Sequence, residues 1–150
     1  MQAILDYEKG NMKMSIVKEM IKKDADFSIQ NLRGNNALHI CASQGNSDVL
    51  GMIVLKMMND ELNNKLIGKI LLNSQAVFKL VNQQNDDALI EAIRAKSKEC
   101  ISILLDVGNM KILKIHVTEA KNYINGSSKI YSLIVKRFHN QEGKVELIIQ

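Results

Sequence analysis

The stretch GNNALHICASQGNSDVL, residues 34–50, decides the fold of this chain. Gly34 favours a turn, because glycine adopts positive φ angles without strain, and Asn36 can cap a helix with its side-chain oxygen. The letters ALHICAS then predict a short helix that stops at Gly45, a residue suited to the left-handed position after a helix. A second apolar run, DVLGMIVLKMM at residues 48–58, predicts another helix directly after the turn. Two helices joined by so short a connection are expected to lie antiparallel.

A helix pair of this size cannot bury its own apolar face, and the sequence supplies a copy of it. Residues 82–108 read NQQNDDALIEAIRAKSKECISILLDVG. Placing Leu89 on Leu38 aligns the two stretches without a gap over both helices. Lys96 then takes the position of Gly45, where a lysine adopts a left-handed backbone less readily than glycine does. The chain therefore contains at least two equivalent helix pairs.

Weaker copies flank these two, and the copies are not evenly spaced. Asn31 and Asn82 hold equivalent positions but lie far more than the roughly 33 residues of a regular array apart, so we expect about 18 inserted residues near 56–80. One repeat domain over residues 1–138 is predicted. Its repeats are expected at about 1–30, 31–81 with the insertion, 82–109 and 110–138, followed by a C-terminal tail at 139–150.

The pattern resembles the ankyrin-repeat family. NALHICA at 36–42 matches the Leu-His part of the Thr-Pro-Leu-His-x-Ala core of that family, DALIEAI at 87–93 matches it more loosely, and DADFSIQNLRGN at 24–35 resembles its connecting hairpin. The resemblance implies an all-α solenoid of about four helix-turn-helix repeats, with short β-hairpin connections and an inserted helical segment near 56–80. RGNNALH at 33–39, followed by a lengthened connection, is also similar to inhibitors of the NF-κB type and to short viral ankyrin proteins.

Composition and charge narrow the classes of function. Hydrophobic residues make up 46% of the chain and aromatic residues 4%, and there is no proline or tryptophan, which favours packed helices. The apolar runs are shorter than the roughly 20 residues needed to cross a bilayer, and we expect neither a membrane span nor a signal peptide. The net charge of +4 arises entirely within residues 108–150. Cys41 and Cys100 are expected to be buried free thiols.

The residues that could carry chemistry have simpler structural explanations. His39 could act as a general base or metal ligand, but the resemblance implies a structural histidine that bonds backbone groups. Asp86, Asp87 and Glu91 could do acid-base work, yet their place at a helix start suits capping and the helix dipole. His116 is isolated in sequence, and no set of ligands has metal-site spacing. We therefore predict no catalytic residues, no metal and no cofactor.

A stack of such repeats presents one face built from turn tips and first helices, and this face is the predicted binding surface. The predicted structural residues are Gly34, His39, Gly45 and Gly108. The predicted partner-binding residues are those expected to be exposed on that face, and all but the first are polar or charged: Leu32, Arg33, Asn35, Ser43, Gln44, Gln83, Gln84, Asp86 and Arg94.

The expected function is a non-catalytic module that binds a partner protein through the concave side of the stack. The NF-κB-inhibitor likeness implies a decoy that suppresses host signalling by holding a transcription factor of NF-κB type, in the cytoplasm or nucleus, as a monomer or weak dimer. Two alternatives stay open. One is a binder of nucleic acid or an anionic surface that uses the basic residues between 111 and 144. The other is an enzyme, for which the sequence shows no converging side chains.

Overall fold

The computed structural model describes residues 14–66, 74–124 and 128–148, and it divides the chain into two compact units, Met1–Met110 and Lys111–Gln150. The described residues form eight α-helices and no β-strand. The helices are α1 (Met14–Lys22), α2 (Ala37–Ser43), α3 (Ser47–Leu66), α4 (Ser74–Phe78), α5 (Ala88–Arg94), α6 (Lys98–Ser102), α7 (Lys114–Tyr123) and α8 (Lys129–Ile148). A π-helical turn, Ile103–Val107, continues α6. The predicted all-helical class is confirmed.

The short helices α2 and α5 begin at side-chain caps. The side chain of Asn36 accepts the backbone N–H of His39 at 3.1 Å, and the side chain of Asp87 accepts the backbone N–H of Ile90 at 3.0 Å. Each bond satisfies one of the amide donors that a helix leaves free at its start. A helix of 7 residues gains little stability from its own hydrogen bonds, so these caps and tertiary packing hold it.

Both short helices end at a left-handed residue. Gly45 has φ +68°, and Lys96, the residue aligned with it, has φ +56°. In each turn the left-handed residue donates its N–H to a carbonyl three positions back, Gly45 to Ala42 and Lys96 to Ile93. The equivalence predicted from the sequence is therefore present in the backbone, and Lys96 adopts the strained conformation that its position requires.

The second helix of each pair buries one apolar stripe. On α3 this stripe contains Val49, Leu50, Ile53 and Val54, all with 0% exposure. On α6 and its π-helical extension, Cys100, Ile101, Leu104 and Leu105 repeat the same spacing and are also buried. A spacing of one and four residues places such side chains on one face of a helix.

Within the first unit the helices form two layers. Helix α2 packs against α5, while α3 packs against α1, α6 and the π-helical turn. Short helices thus contact short helices and second helices contact second helices, which is how stacked repeats share one core. Leu38 and Leu89 occupy the same place in successive repeats, and each has 0% exposure. The environments of these two leucines match, as the alignment predicts.

The described parts of the predicted insertion near 56–80 are largely helical, and residues 67–73 lie outside the described residues. Helix α3 runs for 20 residues, from Ser47 to Leu66, and the short helix α4 precedes the next repeat. Phe78, at the end of α4, is 1% exposed and lies under Gly108. A Cβ atom at Gly108 would come 3.0 Å from the Phe78 ring and 2.8 Å from the carbonyl oxygen of Leu104. Glycine is therefore required there for close packing.

The second unit is a pair of helices, α7 and α8, that pack against each other. Ala120 on α7 and Ile134 on α8 are both fully buried. Helix α8 continues through residues 139–148, which the sequence analysis assigned to a tail, because no proline or strong turn signal stops it near 138. The assignment of residues 110–138 to a fourth repeat stays a prediction.

Candidate partner-binding surface

Two turns of the same construction precede the short helices. Asn31 accepts the backbone N–H groups of Arg33 and Asn35 with its side-chain oxygen, at 2.9 and 3.0 Å. Asn82 accepts those of Gln84 and Asp86 at 2.9 and 3.0 Å. An asparagine that bonds its own backbone two and four residues ahead builds a tight turn without a strand ladder. The predicted hairpin connections consequently appear as turns at residues 31–36 and 82–87.

Each turn contains one residue with positive φ. Gly34 has φ +76° in the first turn, and Asn85 has φ +63° in the second. A Cβ at Gly34 would lie 3.0 Å from the Cα of Asn82 and 3.0 Å from the backbone nitrogen of Gln83. Gly34 therefore meets two demands, a left-handed backbone and a close approach of the second turn. Asn85 meets only the first, which asparagine tolerates better than most residues.

The two turns are joined directly by hydrogen bonds. The backbone N–H of Gln83 donates to the carbonyl of Arg33 at 3.0 Å, and the Gln83 side-chain amide donates to the carbonyl of Leu32 at 2.7 Å. The Gln30 side chain donates to the carbonyl of Val81 at 2.9 Å. These bonds cross about 50 positions of sequence and fix the turns as one surface.

His39 connects the first short helix to the second turn. Its Nε2 donates to the carbonyl of Asp86 at 3.0 Å, while Nδ1 lies 3.4 Å from the backbone nitrogen of Asn36 and 2.7 Å from the side-chain oxygen of that residue. The ring is 1% exposed, and burial lowers the pKa of His39, against weaker opposing effects of the carbonyl of Asp86 and the carboxylates of Asp86 and Asp87. A buried, neutral histidine with backbone partners is a structural tie.

A polar network lies behind the turns. The Asn82 side-chain amide donates to Asn35 and to Glu91, each at 3.0 Å, and Arg94 forms an ion pair with the buried carboxylate of Asp86. Burial, with repulsion from Asp86, raises the pKa of Glu91. Because these partners come from both turns and from α5, the network holds the surface in one arrangement.

Among the described residues, no three His, Cys, Asp or Glu side chains come together as possible metal ligands. Cys41 and Cys100 form no disulfide and have 0% exposure, as predicted, and burial raises the pKa of the Cys100 thiol. No helix in the described ranges combines the length and the hydropathy that a bilayer crossing requires.

Comparison with known proteins settles the family. A family model described as ankyrin repeats (3 copies) matches residues 1–114. The chain belongs to the ankyrin-repeat family. Ankyrin repeats generally mediate protein–protein interactions and form a non-catalytic module.

One curated protein is similar over most of this ankyrin chain. It is named L-asparaginase, from Dirofilaria immitis, and is 28% identical over 105 residues. The matched region is 70% of the present chain but only 15% of that protein. No solved structure matches the chain.

The first unit, called the ankyrin unit below, exposes most of the predicted partner-binding residues. Leu32, Arg33, Ser43, Gln44, Gln83 and Gln84 are exposed, and Asn35 and Arg94 are half-buried. Asp86 is 4% exposed, and its carboxylate is occupied by Arg94. The geometry thus gives Asp86 a supporting position beneath the surface, where it orients the guanidinium of Arg94.

Two exposed apolar residues of the surface were missed by the sequence analysis. Ile29 is 60% exposed and Val81 is 42% exposed, beside the hydrogen bonds that join the turns. Isolated apolar residues in polar turns were the available signal, but sequence gave no reason to bring them together. We call six exposed residues in and beside the two turns the tip surface: Ile29, Leu32, Arg33, Val81, Gln83 and Gln84.

The second unit repeats one detail of the first. The backbone N–H of Leu113 donates to Nδ1 of His116 at 2.9 Å, as that of Asn36 does to His39. His116 is fully buried at the start of α7. Although His116 is isolated in sequence, the letters LKIH at 113–116 parallel NALH at 36–39 and are the signal for its role.

Proposed function

We propose that the ankyrin unit binds a partner protein through the tip surface and the exposed ends of α2 and α5, without catalysis. The observation that carries this proposal is the rigid joining of the two turns through the side chains of Gln30, Asn82 and Gln83. A surface fixed before binding loses little conformational entropy when a partner docks, which favours affinity.

Site-specific photo-crosslinking tests this proposal in the full chain. A photoreactive residue replaces Gln84 on the tip surface or Gln44 at the end of α2, and a control replaces Glu99 on α6, which is also exposed. We expect one protein to be captured in common from the first two positions and not from the third. Equal capture from all three positions, or none from any, would count against the proposal.

The finer proposal is a decoy that suppresses host signalling by holding a transcription factor of NF-κB type. It is supported by the resemblance of RGNNALH at 33–39 and the lengthened connection after it to inhibitors of that type. Direct binding of a purified factor of this type, measured with the full chain and with an Arg94→Ala variant, tests it. Binding weaker than millimolar would leave the general proposal standing and remove the specific one.

A second candidate function is favoured by the basic residues of the second unit. Among the residues of this unit whose side chains are described, five lysines are exposed: Lys111, Lys114, Lys121, Lys129 and Lys136. Cations that are free to reach phosphates would bind nucleic acid or an anionic surface with strong dependence on salt. Titration of labelled duplex DNA and of anionic vesicles at low and physiological salt tests this candidate, and absence of binding at low salt removes it.

A further inference from the structure

The tip surface includes three exposed apolar side chains. Leu32 has 97% of its surface exposed, Ile29 has 60% and Val81 has 42%. The backbone around Leu32 is nevertheless fixed, since its carbonyl accepts the Gln83 side chain at 2.7 Å. A leucine side chain that a turn exposes to water contributes no hydrophobic burial to the stability of the fold, whereas its burial against a partner is favourable.

The tip surface and the chain segments that carry it are basic. Residues 27–36 and 79–85 contain Arg33 and Lys79 and no carboxylate. Neither cation forms an ion pair within the described residues. The carboxylate that follows the second turn, Asp86, is buried and paired. A partner therefore meets apolar groups flanked by uncompensated positive charge.

The nearest exposed carboxylate before the first turn is already engaged. Asp26 accepts the backbone N–H of Ser28 at 2.8 Å and its hydroxyl at 2.6 Å. These bonds lower the pKa of Asp26, so the group stays ionised, but they also direct it to its own turn. Asp26 therefore leaves Arg33 and Lys79 available to a partner.

We infer that the tip surface recognises an acidic segment that carries aliphatic or aromatic side chains next to Asp or Glu. This inference rests on the proposed function and names the chemistry of the partner. Leu32 supplies the apolar anchor, and Arg33 supplies the charge and the forked donors that suit a carboxylate. A basic segment of the same hydrophobicity is disfavoured by repulsion from Arg33 and Lys79.

Selection from a random display library of 12-residue peptides on the immobilised full chain tests the inference. We expect enriched peptides in which Leu, Ile or Phe lies beside Asp or Glu, and binding of the synthetic peptides that weakens as salt rises. Leu32→Ser and Arg33→Glu should each weaken this binding by about tenfold or more, as expected for central interface residues.

Two variants outside the tip surface control for hydrophobicity and charge. Leu55→Ser removes a leucine that is 53% exposed on α3, and Lys98→Glu changes the net charge as Arg33→Glu does. Both should bind the selected peptides as the unmodified chain does. All four variants replace exposed side chains, so circular dichroism should show retained helicity.

The outcomes separate this inference from the proposed function. Enriched peptides that are basic or uncharged, or binding that survives Leu32→Ser, overturn the inference. If such peptides still lose affinity when Ser43 or Gln44 is replaced by Arg, the proposed binding surface stands and only its partner chemistry is wrong. Absence of any enriched peptide together with absence of crosslinking from Gln84 overturns both.

Discussion

The close approach of the two turns can be tested by comparing alanine at Gly34 with alanine at Gly45. Both glycines have positive φ, +76° and +68°, so alanine is strained at either position. The left-handed backbone costs about 1–2 kcal/mol for a residue with a Cβ. Alanine also has fewer conformations than glycine in the unfolded chain, which stabilises the folded state by about 0.4–1 kcal/mol. Gly45→Ala should therefore lower the free energy of unfolding by about 1 kcal/mol.

Gly34→Ala should cost more, because its Cβ has no room. The new atom at Gly34 would lie 3.0 Å from the Cα of Asn82, whereas at Gly45 the nearest atom is the Ser97 Cβ at 3.6 Å, an ordinary contact. Forcing two backbones apart in a packed region costs about 1–3 kcal/mol. The total loss for Gly34→Ala is then about 3 kcal/mol, some 2 kcal/mol more than at Gly45.

Urea unfolding of the two variants, followed by far-ultraviolet circular dichroism, measures this difference. Amide exchange of Gln83 gives a local reading, since its N–H donates to the Arg33 carbonyl across the two turns. Protection of that amide should fall more in Gly34→Ala than in Gly45→Ala, by about 30-fold for 2 kcal/mol. Equal losses of stability in the two variants would refute the argument that the turns are in close contact.

Three further predictions concern single groups. Lys96→Gly should raise the free energy of unfolding, measured with urea, by about 0.5–1 kcal/mol. Glycine removes the left-handed strain, and the greater conformational entropy of the unfolded chain offsets part of this stabilisation. Because the pKa of His39 lies below its ordinary value of about 6.5 in the folded state, its contribution to stability is complete above that pH and is lost as pH falls below it. His39→Gln should flatten the dependence of the free energy of unfolding on pH between pH 7.5 and 5. The difference between this variant and the unmodified chain isolates the contribution of His39 from that of Glu91, whose raised pKa acts in the opposite direction. Cys41 and Cys100 should react with a thiol reagent only slowly until urea unfolds the chain, because both are buried and the pKa of Cys100 is raised; rapid labelling of the folded protein would contradict this.

The exposed residues show where reasoning from the sequence stops. Leu32, Gln83 and Gln84 could be placed on the binding face because the turn pattern and the family resemblance locate the turn tips. Asp86 could not be placed, since whether a carboxylate beside a helix is exposed or paired depends on Arg94 reaching back from the end of α5. Val81 lay outside the recognised pattern, yet its carbonyl receives the Gln30 side chain.

The sequence by itself determined the local structure of this protein: the caps at Asn36 and Asp87, the left-handed positions at Gly45 and Lys96, and the apolar stripes of the second helices. These features depend on groups within a few positions of one another, so a linear pattern contains them. Only the tertiary structure decided which turns share a surface. The contacts between them span the insertion near 56–80, and they form because α2 packs against α5, a burial that no local preference specifies.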